Sequence, residues 1–289
     1  MHTPARIVAA AIVVAASSLL HATPPAPPLA PYQNIPLWDR GTVPFASGDG
    51  PLDAPFLTAF VPPEGKRTGT SVIIAPGGAN IMLMYGAEGL EVAERYNDWG
   101  VTAFVLTYRL APRYADNARV ADGRRAIQLV RARAREWSLD PARIGYIGFS
   151  AGSNMGRAVV AASGPGDPNA ADPVDRVSSR PDYLALVYGA GRATPGESLK
   201  DFPPTFLVSA AADQGPSIGN AQLFADLTKA GAVAEIHVYQ KGRHGFGAAF
   251  GSREFSEWMP ALKHFLEIGG LLQPPPPKGT AAGTSRSRS

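Results

Sequence analysis

The sequence predicts an α/β protein whose central sheet has about eight strands, is mostly parallel and carries helices on both faces. Two observations predict this fold class. Short apolar runs rich in β-branched and aromatic residues recur through the middle of the chain, and helical stretches separate most of them. Strands that alternate with helices form parallel sheets covered on both faces. Ligands of such sheets bind outside the carboxyl ends of the strands, so we expect the chemistry in loops that follow strands.

Seven runs of the chain are predicted as strands and five as helices. The strands are residues 57–61, 71–75, 102–107, 144–148, 183–188, 205–209 and 234–239. The helices are residues 88–99, 119–137, 151–161, 220–230 and 254–267. We find no internal repeat and no second linker between them, so these elements are expected to form one folded block.

The second predicted helix is rich in arginine. Ile127, Val130 and Trp137 recur at helical spacing and define its buried face. We therefore expect the arginines mostly on the solvent side, as a solvated face rather than a nucleic-acid patch. These arginines are Arg119, Arg124, Arg125, Arg131, Arg133 and Arg135.

Composition is that of an ordinary globular protein. The chain has 289 residues, of which 45% are hydrophobic and 18% are charged, so it can bury a sizeable core without covalent staples. Its formal net charge of +3 is too small to indicate a nucleic-acid partner. The chain has no cysteine, which excludes disulfides, thiolate metal sites, a cysteine nucleophile and a lipoprotein anchor.

Both ends of the chain are expected to lie outside the fold. Residues 1–22 have a short basic start, an apolar run and small residues up to Ala22, which is typical of a secretory signal. The apolar run is too short to span a membrane, so no stable span is expected after the signal is removed. The alternative is an N-terminal helix that the mature protein keeps.

The remaining boundaries follow from proline content. Residues 23–36 are predicted as a proline-rich linker and residues 273–289 as a disordered tail of proline, serine and arginine. The folded domain is then residues 37–272. With a signal at its start, the protein is expected to be periplasmic or secreted.

The candidate nucleophile is Ser150, in the sequence Gly148-Phe149-Ser150-Ala151-Gly152. A serine nucleophile stands on a sharp turn between a strand and a helix, and this pattern falls between a predicted strand and a predicted helix. Gly148 and Gly152 lack the Cβ atoms that would collide at such a turn. The alternative is an ordinary glycine-rich loop.

A serine hydroxyl needs a base to take its proton, and the chain offers five histidines. Two lie in the predicted signal, one within a strand and one in the last helix; these are His2, His21, His237 and His264. Only His244 follows a strand, in a loop with three glycines that can bend the imidazole over the sheet. A lone loop histidine is usually just exposed, so the case for His244 depends on the other site residues.

The candidate acid is Asp213, the first acidic residue after the predicted strand 205–209. An acid between the serine and the histidine in chain order would hold one tautomer of the imidazole and stabilise its cation. The preceding strand is followed by no acid until Glu197, which is a poorer candidate. The alternative for Asp213 is a turn residue that caps the next helix.

The strand 71–75 runs into Pro76-Gly77-Gly78-Ala79-Asn80. Acyl transfer needs N–H donors aimed at the developing oxyanion, and one of them comes from an early loop of this kind. The candidates are the backbone N–H groups of Gly78, Ala79 and Ala151. The alternative is a Gly-Gly turn without function.

Together these segments resemble the α/β-hydrolase superfamily, and more closely its acetyl xylan esterase-like carbohydrate esterases and their feruloyl esterase and hormone-sensitive-lipase-like relatives. The resemblance covers about residues 37–265. It is carried by the oxyanion segment, by Tyr108-Arg109-Leu110-Ala111-Pro112, by Gly148 to Gly152, and by Gly242 to Gly247. Two further segments match, at residues 122–131 and 172–182.

The segment between Tyr188 and Thr205 is about sixteen residues, which is too short for a large cap domain. The resemblance implies an α/β-hydrolase fold with Ser150 as nucleophile, His244 as base and Asp213 as orienting acid. It implies deacylation of O-acetyl or similar small esters, with no metal or organic cofactor. Three departures from the family pattern are present: Ala79 for the third glycine, Asn80 for an aromatic residue, and Ser153-Asn154 for Gly-His. The first two touch the expected pocket and so bear on acyl specificity. The replacement at Ala79 costs little provided that its φ is negative. Arg109 and Asp122 are expected to form a buried structural pair below the site.

The predicted function is that of an exported serine carboxylesterase acting on small acyl esters, acetyl esters above all, of a small molecule or of a carbohydrate such as acetylated xylan. Two other classes stay open. One is a serine peptidase on the same fold, which usually carries a large extra domain. The other is a non-catalytic binding protein, although such proteins have usually lost at least one of the three residues. The oligomeric state is left open.

Overall fold

The chain folds around one eight-stranded sheet, as the computed structural model shows for residues 28–189, 197–249 and 257–273. The strand order is β1-β2-β4-β3-β5-β6-β7-β8. Strands β3 to β8 are mutually parallel, whereas β2 runs antiparallel to both β1 and β4. The strands are β1 (Asn34–Pro36), β2 (Phe56–Phe60), β3 (Ser71–Ala75), β4 (Thr102–Thr107), β5 (Ile144–Phe149), β6 (Tyr183–Val187), β7 (Thr205–Ala210) and β8 (Ala234–Tyr239). The predicted α/β class and strand number are confirmed.

Helices cover both faces of the sheet, and two hydrophobic cores lie between the layers. Side chains alternate across a strand, so Ile73 faces one core and Val72 the other. The core that contains Ile73 is closed by α2, α3 and α4, and the core that contains Val72 by α1 and α5. The helices are α1 (Glu91–Asp98), α2 (Asp116–Ala132), α3 (Ala151–Ala161), α4 (Gln214–Lys229) and α5 (Trp258–Ile268). Between β6 and β7, the described residues 197–204 contain no helix.

All seven predicted strands and all five predicted helices are present, with differences at their ends. The predicted start of the last helix, residue 254, lies outside the described residues. The first helix is preceded by a π-helical turn at Gly86–Leu90, and α4 begins at Gln214 rather than at residue 220. Helix α2 ends at Ala132 rather than at residue 137, and irregular turns follow it.

The predicted linker extends too far into the fold. Asn34–Pro36 pairs with β2 as an edge strand, and Leu29 and Ile35 are buried in the core that contains Ile73. The sequence signal was proline content, but proline is tolerated on an edge strand because one side of that strand makes no ladder bonds. The rest of the predicted linker before residue 28, the predicted signal and nearly all of the predicted tail lie outside the described residues.

The expectation that the six arginines in and just after α2 lie mostly on the solvent side was wrong for two of them. Arg119 and Arg125 are buried, whereas Arg135 is exposed. Arg125 pairs with Asp172 and Asp175 and also donates to the carbonyl of Leu37. Long guanidinium side chains can be buried where carboxylates and carbonyls satisfy them, and a loop distant in sequence supplies those partners here.

No helix in the described part of the chain is long and apolar enough to cross a membrane.

Candidate active site

Ser150 stands on a sharp turn between β5 and α3. Its backbone has φ 50° and ψ −114°, a conformation that a non-glycine residue adopts only when its surroundings enforce it. A Cβ on Gly148 would lie 2.3 Å from the carbonyl oxygen of Gly152, and one on Gly152 would lie 2.1 Å from that of Ala75. Both glycines are therefore required by close backbone approach, as predicted.

Ser150, His244 and Asp213 are joined by two short hydrogen bonds. The Oγ atom of Ser150 lies 2.7 Å from Nε2 of His244, and Nδ1 of His244 lies 2.6 Å from Oδ2 of Asp213. The three residues follow β5, β8 and β7, so they meet at the carboxyl edge of the sheet. The histidine side chain is 47% exposed, which leaves the site open to solvent.

Local features of two loops orient the side chains of Asp213 and His244. Asp213 occupies the position before α4, yet its side chain makes no capping bond and turns to the histidine instead. The alternative reading of Asp213 as a helix cap is therefore not what the structure shows. In the histidine loop Gly242, Gly245 and Gly247 all have positive φ, which lets the chain bend His244 back over the sheet edge.

The loop after β3 carries the predicted oxyanion donors. Gly78 has φ 129° and approaches the carbonyl of Met82 so closely that a Cβ would lie 2.3 Å from its oxygen. The N–H groups of Gly78 and Ala79 have no acceptor among the described residues. Ala151 is the first residue of α3, where backbone N–H groups have no partner within the helix. The loop and the helix start thus offer free donors beside Ser150.

The condition under which alanine at position 79 would cost little is not met, because φ is 54° at Ala79 and 63° at Asn80. The loop reverses direction over consecutive residues with positive φ. Asparagine tolerates this region well and alanine less well, so the alanine carries some backbone strain.

The Tyr-Arg-Leu-Ala-Pro segment supports the oxyanion loop from one side. The hydroxyl of Tyr108 donates to the carbonyl of Pro76 at 2.7 Å, and the N–H of Ala111 donates to the carbonyl of Asn80 at 2.7 Å. Burial raises the pKa of Tyr108 far above its usual range, so its hydroxyl stays a neutral donor.

Arg109 and Asp122 form the predicted buried pair. Their side chains are 1% and 0% exposed, and the guanidinium Nη2 lies 2.7 Å from Oδ1 of the carboxylate. Burial raises the pKa of the Asp122 carboxyl, and the hydrogen bonds and positive charge of Arg109 oppose that rise. Neither residue reaches Ser150 through a recorded contact, so the structural interpretation holds.

A cavity of about 150 Å³ lies beside Asn80 and Ala151. Asn80 and Asn154, two of the residues that depart from the family pattern, line this cavity. The other lining residues are Asp116, Arg119, Val120, Ala151, Met155 and Ala158. Its wall is therefore partly polar and partly apolar.

Sequence reasoning missed Glu88 and Tyr188, which lie under the site. The Oε2 atom of Glu88 accepts from the N–H of Gly77 at 2.6 Å, and Oε1 accepts from the hydroxyl of Tyr188 at 2.7 Å. Tyr188 directly follows β6, so the rule of searching behind strands could have found it. Glu88 has no comparable signal in the sequence, since its position is that of the first turn of a predicted amphipathic helix.

The parallel sheet, the strand–serine–helix turn and the hydrogen-bonded serine, histidine and aspartate define the class of α/β hydrolases. Residues 57–170 match the BD-FAE family model. A solved acetyl ester-xyloside bifunctional hydrolase from Caldicellulosiruptor lactoaceticus is 31% identical, with a TM-score of 0.76 over 83% of this chain and 97% of that one. The chain belongs to this BD-FAE family of α/β hydrolases.

Two further comparisons are more distant. An acetylxylan esterase from Xylanibacter ruminicola is 27% identical over 248 residues, which cover 78% of this chain but 49% of that protein, so the chain spans about half the length of this curated relative. A thermophilic esterase from Thermogutta terrifontis, solved with propionate bound, has a TM-score of 0.67 at 18% identity, over 76% of this chain and 92% of that one. The latter similarity concerns the fold.

Proposed function

We propose that the protein is an exported serine carboxylesterase that hydrolyses small acyl esters, with acetyl groups on a carbohydrate such as xylan as its natural substrate. The observation that carries this proposal is the hydrogen-bonded series from Ser150 Oγ through the imidazole of His244 to Asp213, at 2.7 and 2.6 Å. Serine, base and orienting acid in this arrangement perform nucleophilic acyl transfer.

The reaction proceeds in two halves. Ser150 Oγ attacks the ester carbonyl carbon while Nε2 of His244 takes the hydroxyl proton, and the oxyanion accepts hydrogen bonds from the N–H groups of Gly78, Ala79 and Ala151. The C–O bond to the alcohol breaks, and His244 gives its proton to the departing oxygen. Water then attacks the acyl-enzyme with His244 as base, which releases the carboxylic acid and restores Ser150.

The surroundings of Ser150 support a small acyl group and a bulky polar alcohol. A cavity of about 150 Å³ beside Ala151 favours a short acyl chain over a long one. The half-exposed His244, which protonates the alcohol, leaves that side of the site open to a large molecule such as a polysaccharide. The names of the relatives point to acetyl esters and xylan as well.

The test is hydrolysis of p-nitrophenyl acetate, butyrate and octanoate by the wild-type protein and by Ser150→Ala. We expect acetate to be preferred and the variant to lose on the order of a millionfold in turnover. Ser153→Ala is the matched control, because Ser153 lies on α3, three residues after Ser150, and its buried Oγ has no hydrogen-bond partner among the described residues. A folded wild-type protein that cleaves none of the three esters would favour a binding protein or a peptidase of narrow substrate range.

The carbohydrate substrate has its own test. Release of acetate from acetylated xylan by wild type, and not by Ser150→Ala, is expected. A preference for octanoate together with no acetate release from xylan would contradict the assignment of the substrate while leaving the serine hydrolase in place.

Export follows from residues 1–22 and is tested by expressing the full chain in a bacterial host and sequencing the N-terminus of the exported protein. We expect a mature protein that begins at Thr23. A product that retains residues 1–22 and stays in the cytoplasm would contradict it.

A further inference from the structure

Glu88 is a buried carboxylate for which the hydrolytic chemistry has no direct use. It is 3% exposed and lies on the π-helical turn Gly86–Leu90, a local structure that frequently marks functional sites. Its two recorded hydrogen bonds come from neutral donors, the N–H of Gly77 and the hydroxyl of Tyr188. Burial of a carboxylate beside neutral partners costs stability, so its presence here calls for a role.

Tyr188 connects Glu88 to the loop that carries His244. Its hydroxyl donates to Glu88 and accepts from the N–H of Gly247 at 3.0 Å. The centroid of its ring lies 4.9 Å from that of His244 and 4.5 Å from that of Phe246. Burial and the nearby Glu88 raise the pKa of Tyr188 well above its usual range, so the hydroxyl keeps the proton that it donates.

We propose that Glu88 and Tyr188 are positioning residues that fix the oxyanion loop and the histidine loop relative to Ser150. The inference rests on the proposed esterase function. Three consecutive hydrogen bonds, from Gly77 through Glu88 and Tyr188 to Gly247, join two loops that otherwise follow different strands. Gly77 directly precedes the donor Gly78, and Gly247 lies in the loop that carries His244.

A carboxylate is suited to this place because it must accept twice. Gly77 and Tyr188 both donate, so each oxygen of Glu88 receives one hydrogen bond. A glutamine offers one acceptor and one donor. The hydroxyl of Tyr188 already accepts from the N–H of Gly247. If the amide NH2 group of a glutamine also faced this hydroxyl, the proton of the Tyr188 hydroxyl would have no acceptor.

The expected consequence is a loss in the chemical step rather than in binding. Catalysis depends on N–H donors and a base held in advance at the places where charge and protons appear in the transition state. Small displacements of such groups are costly, about 100-fold for roughly 1 Å. Neither Glu88 nor Tyr188 touches the substrate in this proposal, so ground-state affinity should change little.

The experiment compares Glu88→Gln and Tyr188→Phe with wild type in the full chain, with p-nitrophenyl acetate as substrate and a trifluoromethyl ketone as analogue of the tetrahedral intermediate. We expect kcat to fall on the order of 10- to 100-fold, with KM within about threefold. The inhibition constant of the ketone should rise by about the same factor as kcat/KM falls, because the bound ketone makes the same contacts with the enzyme as the transition state does. The double variant should be little worse than the poorer single variant.

Tyr183→Phe is the matched control. Tyr183 is buried at the opposite end of the same strand, β6, and its hydroxyl donates to the carbonyl of Ser71 at 3.2 Å. This variant loses one buried hydrogen bond away from the site, whereas Tyr188→Phe loses two. We expect its kcat and its ketone affinity to stay within about twofold of wild type while its thermal midpoint falls, by less than that of Tyr188→Phe.

The possible results distinguish a failure of the positioning role from a failure of the esterase proposal. A Glu88→Gln or Tyr188→Phe protein with wild-type kcat and ketone affinity overturns the positioning role and leaves the esterase proposal standing. A fall in activity that only follows the folded fraction, with unchanged ketone affinity of the folded molecules, also overturns it. If Glu88→Gln does not fold, Tyr188→Phe decides alone, since it deletes a single oxygen atom. A wild-type protein without Ser150-dependent turnover would overturn both proposals.

Discussion

Gly77 and Ser150 are in such close contact that a Cβ on Gly77 would lie 2.8 Å from the Cβ of Ser150. The same added atom would lie 2.7 Å from the carbonyl oxygen of Phe149 and 2.8 Å from Oε2 of Glu88. The contact arises because β3 and β5 are neighbours and pair Ala75 with Gly148, which brings the loops that follow them together. The first glycine of the proposed oxyanion loop, Gly77, is thus dictated by packing against Ser150, the proposed nucleophile.

Replacing Gly77 should displace the oxyanion loop from the nucleophile. We expect Gly77→Ala to lower kcat/KM by roughly 100- to 1,000-fold, comparable to the loss of one oxyanion donor. Steady-state hydrolysis of p-nitrophenyl acetate measures this. Gly65→Ala is the control, because a Cβ there would meet no atom within 4 Å, and it should behave as wild type. Equal kcat/KM values for both variants would show that the loop can move without loss.

Asp213 should be needed for the correct tautomer of His244. Asp213→Asn replaces the acceptor of the Nδ1 proton by an amide and should lower kcat on the order of 10,000-fold without loss of folding. Glu235→Gln is the matched control, since Glu235 pairs with His237 at 2.7 Å in β8, away from Ser150. A loss of similar size in both variants would indicate general destabilisation instead of a role in acyl transfer.

The sequence alone could identify the candidate site residues that the structure brings together because their constraints are local. Gly148, Ser150 and Gly152 fall within five residues, and their roles depend on one turn between a strand and a helix. The histidine loop is recognisable for the same reason, through its glycines. Such local patterns depend little on which distant element packs against them.

The features that the sequence did not reveal depend on distant partners. Asn34–Pro36 becomes a strand only through pairing with β2, and proline-rich surroundings conceal it. Arg125 is buried because Asp172 and Asp175 satisfy it from a loop 47 and 50 residues away. Glu88 and Tyr188 are 100 residues apart and are joined only by the folding of the sheet.

The buried pair of Arg109 and Asp122 should matter for stability and not for turnover. Asp122→Asn leaves the guanidinium buried without its counter-charge, which should cost about 3–5 kcal/mol in the free energy of unfolding. Urea denaturation measures the change, and kcat per folded molecule should stay near that of wild type. In the exposed pair of Arg40 and Asp49, Asp49→Asn should cost less than about 1 kcal/mol. Equal costs at the two sites would contradict the structural assignment of the buried pair.

Asp53 should make part of the free energy of unfolding depend on pH in the acid range. The hydroxyl of Tyr114 and, next, the guanidinium of Arg113 donate hydrogen bonds to its carboxylate and lower its pKa below the usual range. A lowered pKa in the folded state means that the ionised form stabilises the fold at pH values above the unfolded pKa of about 3.9, and that this contribution is lost as the pH falls further.

Asp53→Asn removes that ionisation. We therefore expect the unfolding free energy of wild type to exceed that of Asp53→Asn by a constant amount between about pH 5 and pH 7 and by a shrinking amount below about pH 4. Urea denaturation of both proteins at a series of pH values gives the difference directly. Asp49→Asn serves as control, since its carboxylate is 79% exposed and should show little of this dependence. A difference for Asp53→Asn that grows toward acid pH would mean that the carboxylate is not stabilised by Tyr114 and Arg113 in the folded protein.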